Sequence, residues 1–130
     1  MKLAEVKDWI KSNTSYGDGI AVGNINGDKD RYIGVYQGKN VPVAREAVGG
    51  ATGYRMHAVS VLVHWGQNAT AAEAKADELY QLIRAIDQEQ MGNTLVLWAR
   101  MQKSDPVFVG RDARGNCEYV IEFYLCEGVN

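Results

Sequence analysis

The sequence holds few of the residues that build disulfides and metal centres, with two cysteines and two histidines among 130 residues. Cys117 and Cys126 lie nine positions apart on one predicted strand, so roughly 30 Å separates their Cα atoms. A disulfide needs Cα atoms within about 7 Å of each other, and two cysteines do not make a zinc site. The sequence therefore predicts two reduced, partly buried thiols, with no metal and no cofactor.

The chain also lacks a surplus of positive charge and a long apolar run. It has 14 lysines and arginines against 16 aspartates and glutamates, a formal charge of −2 and a pI near 5.6, which argues against a general nucleic-acid-binding protein. The first residues, Met1 to Asp8, contain no apolar core of a signal peptide, and no segment is long enough to span a bilayer. We therefore expect a protein of the cytoplasm without membrane contact.

No arrangement of residues is suited to catalysis. His57 and His64 lie seven positions apart on one predicted strand, so they point to opposite faces and cannot act on one ligand. Glu118 and Glu122 share a face, but roughly 13 Å separates them, which exceeds the spacing of a glycosidase acid pair. A solvated face, or a face that lines the lumen of a ring, is the better interpretation, and we predict no catalytic residue.

Two loops resemble ligand-binding motifs only in part. The polar stretch Asn24–Asp30 would need Gly at its sixth position and Glu at its twelfth to be a calcium loop, and these positions hold Lys29 and Val35. A polar hairpin turn between two strands is the better account. The stretch Gly49–Gly53 lacks the Lys-Ser/Thr ending of a phosphate-binding loop, and we interpret it as a flexible loop.

Hydrophobic periodicity predicts two helices. A short amphipathic helix with apolar residues at helical spacing begins at Leu3 and ends near Asn13. The second helix begins at a capping box formed by Thr70 and Glu73 and stops at Gly92. The apolar stripe of this second helix, which we expect to pack on a sheet, consists of Ala72, Ala76, Leu79, Ile83 and Ile86.

Alternation of apolar residues predicts the strands. The clearest are His57–Trp65, Leu95–Met101 and Cys117–Cys126, and two shorter strands lie at Ile20–Val22 and Tyr32–Val35. The order is helix, two strands, long loop, strand, helix and three strands. It predicts an α+β fold with a mostly antiparallel mixed sheet and two helices packed on one face. We expect residues 1–130 to form a single domain.

The last quarter of the chain is a predicted β-hairpin around a glycine-containing turn. In its second strand, alternate residues from Cys117 to Leu125 form an apolar core face, whereas the other face mixes Glu, Val and Tyr side chains. A mixed face of this kind suits a surface that is wet in the monomer and covered in an assembly. The hairpin would offer edge hydrogen bonds and tyrosine contacts to a neighbour.

From Gly38 to Arg55 the chain loses its periodicity, and five glycine or proline residues interrupt it. Loops of this length within a compact domain are usually functional or disordered. We expect the loop at about 38–55 to be mobile in the free subunit and to become ordered on assembly, which would delay binding until the right partner is present.

Several of these features together resemble a known family. They are the helical start, the strand that ends in His64-Trp65-Gly66, the alanine-rich second helix, and the run Asp105–Asp112 followed by Gly115 and the strand Glu118–Leu125. The sequence resembles the phage and prophage minor capsid protein family, which is similar to the tail-terminator proteins of long-tailed phages. The resemblance covers most of the chain but not the loop at 38–55.

The resemblance implies a structural virion protein with a tail-terminator-like α+β fold. Such a subunit would form a hexameric ring that caps the tail tube, with the tail-tube protein and the head-completion protein as partners, while DNA passes through without specific binding. It would reside in the host cytoplasm during assembly and then in the virion. Two alternatives stay open: another virion adaptor, such as a head-closure or tail-completion protein, and a small cytoplasmic enzyme or ligand-binding domain.

We expect assembly contacts at the mixed hairpin face, at the hairpin turn and in the glycine-rich loop. Arginine and tyrosine are over-represented among residues that dominate interfaces. An alternative for Arg111 and Asp112 is that they only satisfy the hairpin turn. The predicted interface residues are Arg45, Tyr54, Arg55, Arg111, Asp112, Arg114, Val120 and Tyr124.

Overall fold

The structure is a computed structural model that describes residues 1–42 and 54–128. Within these ranges, two helices and seven strands follow one another. In chain order they are α1 (Leu3–Asn13), β1 (Gly19–Val22), β2 (Arg31–Gln37), β3 (Tyr54–Trp65), α2 (Ala69–Arg84), β4 (Asp87–Met91), β5 (Thr94–Met101), β6 (Val107–Arg111) and β7 (Cys117–Gly128).

The strands form one mixed sheet in the order β1-β2-β3-β7-β5-β4, and β6 also pairs with β7. The pairs are antiparallel except for β1 with β2, which is parallel. β3 and β7, of twelve residues each, form the centre of the sheet. β5 and β6 follow one another along the same side of β7. The predicted α+β fold with a mostly antiparallel sheet is confirmed.

Both helices pack on one face of the sheet, as predicted. α2 contacts β3, β5 and β7, while α1 contacts β1, β2 and β4. The five residues of the predicted apolar stripe are confirmed as core, because each is 5% exposed or less; four of them lie on α2. We call the opposite side of the sheet the open face; its side chains include Tyr32, Tyr36, Ser60, Leu62, Arg100, Val120, Glu122 and Tyr124.

The start of α2 differs from the prediction. Asn68 is the N-cap, and its side-chain oxygen accepts a hydrogen bond from the Ala71 backbone N–H at 3.1 Å. The predicted capping box of Thr70 and Glu73 is therefore wrong. Asparagine is as good an N-cap as threonine or better, so the helix begins as soon as Asn68 can satisfy its first free N–H groups.

The end of α2 also differs, since the helix stops at Arg84 and not at Gly92. An unpredicted strand, β4, lies between them, and Gly92 occupies the turn into β5 with a φ of +58°. Ile86, expected in the helix, follows it but is still buried. The sequence does not predict β4, because only Met91 among its residues is buried and the strand therefore lacks apolar alternation.

The polar stretch Asn24–Asp30 is not the predicted hairpin turn. Because β1 and β2 run parallel, this connection has to return across one face of the sheet. Ile25 marks its path: a Cβ atom added to Gly34 would lie 2.8 Å from Ile25 Cγ2. Gly34 is paired with Leu62 and faces the open side, so the connection crosses the open face, opposite to the helices.

Both cysteines are free and more deeply buried than predicted, with Cys117 0% and Cys126 1% exposed. Cys117 belongs to the core beneath the helices. Cys126 lies on the open face, paired with Met56 of β3 and Trp98 of β5. Burial raises the pKa of the Cys126 thiol, so the reactive thiolate is disfavoured there.

Most of the loop that we expect to be mobile, residues 43–53, lies outside the described residues. Its mobility and its ordering on assembly therefore stay predictions. On the described side, the Gly38 N–H donates to the Ala58 carbonyl at 2.9 Å. This bond extends the pairing of β2 with β3 one residue into the predicted loop.

Glu5 connects α1 to the turn between β4 and β5. Its Oε1 accepts hydrogen bonds from the Lys2 N–H at 2.9 Å and the Thr94 hydroxyl at 3.0 Å, and its Oε2 accepts one from the Asn93 N–H at 2.7 Å. The hydrogen bond from Lys2, supported by those from Asn93 and Thr94, lowers the pKa of the Glu5 carboxyl.

A second carboxyl is stabilised in its charged form on α2. The Lys75 Nζ donates to Glu78 Oε2 at 2.6 Å, and the Thr14 hydroxyl donates to the same oxygen. The hydrogen bond from Lys75, followed by that from Thr14, lowers the pKa of the Glu78 carboxyl. The contact with Thr14 also ties α2 to the end of α1.

Acid is expected to destabilise the fold below about pH 4.5, near the pKa of an unfolded glutamate. Because Glu5 and Glu78 have lower pKa values in the folded state, the unfolded chain binds more protons as the pH falls. The stability they provide is present above that pH and is lost as the pH falls through the folded pKa values. Thermal unfolding followed by circular dichroism measures this, and Glu5→Gln should show a shallower acid decline. An unchanged slope in that variant would contradict the assignment.

Candidate assembly interface

The turn between β6 and β7 is closed by Asp112. Its Oδ1 accepts hydrogen bonds from the backbone N–H groups of Arg114 at 2.9 Å and Asn116 at 2.8 Å. Partial burial acts to raise the pKa of the Asp112 carboxyl, but the hydrogen bonds from Asn116 and Arg114 outweigh it and lower the pKa. The charged carboxylate of Asp112 therefore stabilises its own turn.

Two arginines fasten the same turn to neighbouring segments. The Arg111 Nη1 donates to the carbonyls of Gln67 at 3.0 Å and Gly115 at 2.8 Å. The Arg114 Nη1 donates to the Asp28 carbonyl at 2.7 Å, in the β1–β2 connection. Both guanidinium groups are exposed and keep further N–H donors, so these contacts leave both arginines able to bind a neighbour.

His64 joins this turn to the sheet. Its ring is 1% exposed, with Nδ1 3.0 Å from Glu118 Oε2 and Nε2 2.9 Å from the Lys29 carbonyl oxygen. The Nε2 atom also lies 3.5 Å from Asp112 Oδ2 and 3.3 Å from Asn116 Nδ2. We call these five residues the polar cluster. It links the end of β3, the start of β7, the hairpin turn and the β1–β2 connection.

Val120 and Tyr124, two of the predicted interface residues, lie half-buried on the open face. Val120 is paired with Leu62 of β3, and Tyr124 stands between Ala58 of β3 and Arg100 of β5. β7 is thus paired on both sides and is an internal strand. The expectation that the mixed face offers edge hydrogen bonds is wrong for β7, since the sequence does not reveal that β3 covers its other edge.

The open face combines aromatic and acidic side chains. A Cβ atom added to Gly34 would lie 2.7 Å from the Tyr36 ring, so the missing side chain makes room for that tyrosine. Burial, with a smaller contribution from the negative charge of Glu118, raises the pKa of the Tyr36 hydroxyl. The face therefore carries partly buried aromatic side chains beside the charged groups of Glu118, Glu122 and Arg100.

The longest run of exposed apolar side chains in the described residues, which sequence reasoning missed, is on β6. Val107, Phe108 and Val109 are 42%, 52% and 54% exposed. Phe108 is held by an edge-to-face contact with Tyr119, with 5.3 Å between the ring centroids. The register shifts between Phe108 and Gly110, so Val109 lies in a bulge. The sequence pattern that could have indicated this strand is a run of three apolar residues that do not alternate with polar ones.

β6 is also an edge strand in the described part of the chain, because it pairs with β7 alone. β4 covers β5 only from Thr94 to Trp98, and so it ends before it could flank β6. An exposed apolar edge carries unpaired N–H and C=O groups that readily accept another strand. We therefore add Val107, Phe108 and Val109 to the candidate interface.

The remaining predicted residues lie elsewhere. Tyr54, 44% exposed, and Arg55 begin β3 opposite Gly128 and Glu127, while Arg45 is outside the described residues. The hairpin turn lies at the other end of β3, which spans twelve residues or roughly 36 Å. The structure thus separates the candidates into two groups, at opposite ends of the central strands, with the open face between them.

A family model described as "Bacteriophage tail terminator protein" matches residues 9–125. The chain belongs to the bacteriophage tail terminator protein family. No curated protein is similar enough to match it. Among solved structures, one chain at 19% sequence identity matches over 98% of this chain and 89% of its own length, with a TM-score of 0.48.

Membership of the tail terminator family confirms the resemblance found in the sequence. This tail terminator is a structural protein of the phage tail, and its family is structural and not catalytic. Within residues 1–42 and 54–128, no group of three or more His, Cys, Asp or Glu side chains is arranged to hold a metal ion. None of the helices there has the length and apolarity needed to cross a membrane.

Proposed function

We propose that this tail terminator forms a ring, with six subunits, that closes the tail tube when the tube reaches its final length. The observation that carries the proposal is the family match over nearly the whole chain. The exposed apolar strand β6 supports it, since such an edge is a liability in a protein that never assembles. In this proposal the subunit acts in the host cytoplasm during assembly and remains in the virion.

The two groups of candidate residues fit a subunit that has a binding surface at each end of its central strands. One end of β3 and β7 carries the hairpin turn with Arg111 and Arg114, and the other carries Tyr54 and Arg55. A ring between tube and head needs two different docking surfaces, one for the tail-tube protein and one for the head-completion protein. We propose that the two ends of the strands supply these surfaces.

The two glutamates of the open face, which outnumber its Arg100, suit a channel for DNA. Glu118 and Glu122 lie on this face, and the chain carries a net charge of −2. Negative charge repels DNA and so favours sliding over binding. We propose that DNA passes through the ring without specific contacts, and that Glu118 and Glu122 face its lumen.

Loss of the protein tests the function. Phage assembly without this protein should yield tail tubes of irregular, excessive length that do not join heads, and electron microscopy measures both. Adding the purified protein before tubes elongate should restore uniform tails. Tails of normal length that fail only at head joining would instead favour a head-closure or tail-completion adaptor.

The arginines near the loop provide a finer test. Charge reversal at Arg45 and Arg55 is expected to leave folding intact while tails become overlong or fail to join heads, because guanidinium groups often dominate interfaces. Electron microscopy of tails and a count of infectious particles measure the effect. The matched control is Arg84→Glu, at an exposed site on α2, which should assemble normally. Normal infectious particles from the double variant would refute a role for this loop.

A further inference from the structure

The two strands at the margins of the sheet differ in what they expose. β6 presents the apolar run Val107–Val109 on an edge unpaired in the described part of the chain. At the far side of the sheet, and among residues 1–42 and 54–128, β1 pairs with β2 alone; it ends in Val22, which is 40% exposed. β4, the third margin, exposes only polar residues, from Asp87 to Gln90.

The directions of these strands are complementary. β1 runs parallel to β2, and three antiparallel steps then lead through β3 and β7 to β6. β1 and β6 therefore run in opposite directions. If a second copy continues the sheet in the same orientation, its β1 lies antiparallel to β6 of the first, which is the slightly more stable pairing.

We propose that β6 of one subunit pairs with β1 of the next and that this contact closes the ring. The inference rests on the proposed ring and names the surface that builds it. The contact joins two different surfaces, so it is heterologous, the type that generates closed rings. The two strands match in length, with four residues in β1 and five in β6.

Charge supports the same partner. In an antiparallel register with Val107 opposite Val22, the bulged Val109 has no partner, so Arg111 lies opposite Gly19 and next to Asp18. Both charged side chains are exposed, and Asp18 Oδ2 also accepts a hydrogen bond from the Arg31 backbone N–H at 3.1 Å. The Arg111 Nη1 is occupied within its own turn, but the guanidinium keeps further donors for a carboxylate. The acidic margin β4 offers neither apolar side chains nor this match, which leaves β1 as the strand that fits β6.

Charged substitutions on each edge test the pairing. Val109→Lys and Val22→Lys each place a lysine, a residue that natural proteins use to block edge pairing, on one of the two strands. Each variant alone should stay monomeric where the wild type forms rings, as measured by native mass spectrometry with and without tail tubes. An equal mixture of the two should stop at dimers, because only one junction can form. Val109→Thr and Leu95→Lys, the latter at a site 39% exposed on β5, should assemble as the wild type does.

Other results would overturn the pairing. Ring formation by both lysine variants would eliminate it while leaving the proposed function intact. Assembly of Val22→Lys alone, with failure of Val109→Lys, would indicate a two-fold β6–β6 contact instead. If Leu95→Lys also failed to form rings, the loss of assembly would not be specific to the edges of β1 and β6. Absence of wild-type rings in solution and on tubes, with normal tails when the protein is missing, would reject the proposed function itself.

A cross-link gives a second measurement that does not depend on disrupting the edge. The double variant Val107→Cys, Val22→Cys should form disulfides between subunits, visible as a ladder of oligomers on a non-reducing gel. Each single-cysteine variant should remain unlinked, since the native thiols of Cys117 and Cys126 are buried. A double variant that assembles into rings without any ladder would contradict the proposed register.

Discussion

Replacing Leu79 with alanine is expected to lower the free energy of unfolding by about 2–5 kcal/mol, the range for a large-to-small change in a core. Leu79 is 0% exposed and lies on α2, which packs on β3 and β7 at the centre of the sheet. The cavity would open where the helix meets the sheet, so little relaxation can fill it. Urea unfolding followed by circular dichroism measures the loss.

Leu82→Ala is the matched control, because Leu82 lies on the same helix but is only partly buried. Its substitution should cost clearly less than that of Leu79. Equal losses at the two positions would mean that the stripe is not the packing surface of α2.

Replacing His64 with alanine is expected to lower the free energy of unfolding by about 2–4 kcal/mol, since buried hydrogen-bonding partners left unsatisfied cost about 1–3 kcal/mol each. The ring is 1% exposed, and both of its nitrogens have oxygen partners, on Glu118 and on the Lys29 backbone. Its removal would release the β1–β2 connection and the hairpin turn together. Urea unfolding quantifies the change.

The second histidine of β3 serves as the control. His57 Nε2 lies 2.6 Å from Glu127 Oε1, and its side chain is 15% exposed. Water can replace part of this contact, so His57→Ala should cost less than His64→Ala. A larger loss at His57 would show that the polar cluster does not hold the connection and the turn in place.

The strands that could be read from the sequence are those with one buried face. Val59, Val61 and Val63 alternate with partly exposed residues on β3, and β7 shows the same period of two. This pattern is local and needs no knowledge of neighbours. β4 carries no such pattern, because its strand geometry comes from pairing with β5 and not from burial.

Apolar alternation does not reveal the relative direction of two strands such as β1 and β2. The polar residues between β1 and β2 are equally suited to a hairpin turn and to a connection across a sheet. The position of Ile25 distinguishes the two, because its Cγ2 atom lies next to Gly34 on the open face. That contact joins two segments whose relative position only the fold defines.

The sequence predicts interface residues from their type, but it does not show which of these side chains are exposed in the fold. Residue type alone points to Arg111 and Arg114, and the structure shows that both hold the hairpin turn. The sequence gives no sign that Val107, Phe108 and Val109 are exposed, because a run of apolar residues usually indicates burial. The edge of β6 stays unpaired in the described part of the chain because β4 ends before it reaches β6, and no local pattern carries that information.

The order of synthesis gives the central position of β7 a further meaning. β7 is the last strand of this sheet to leave the ribosome, yet it lies between β3 and the pair formed by β5 and β6. Contacts between residues so distant in sequence form late in folding. A nascent chain therefore cannot display β6 as an ordered edge before translation of β7 is finished. Under the proposed β6–β1 pairing, an unfinished chain would therefore lack the edge with which a subunit joins the ring.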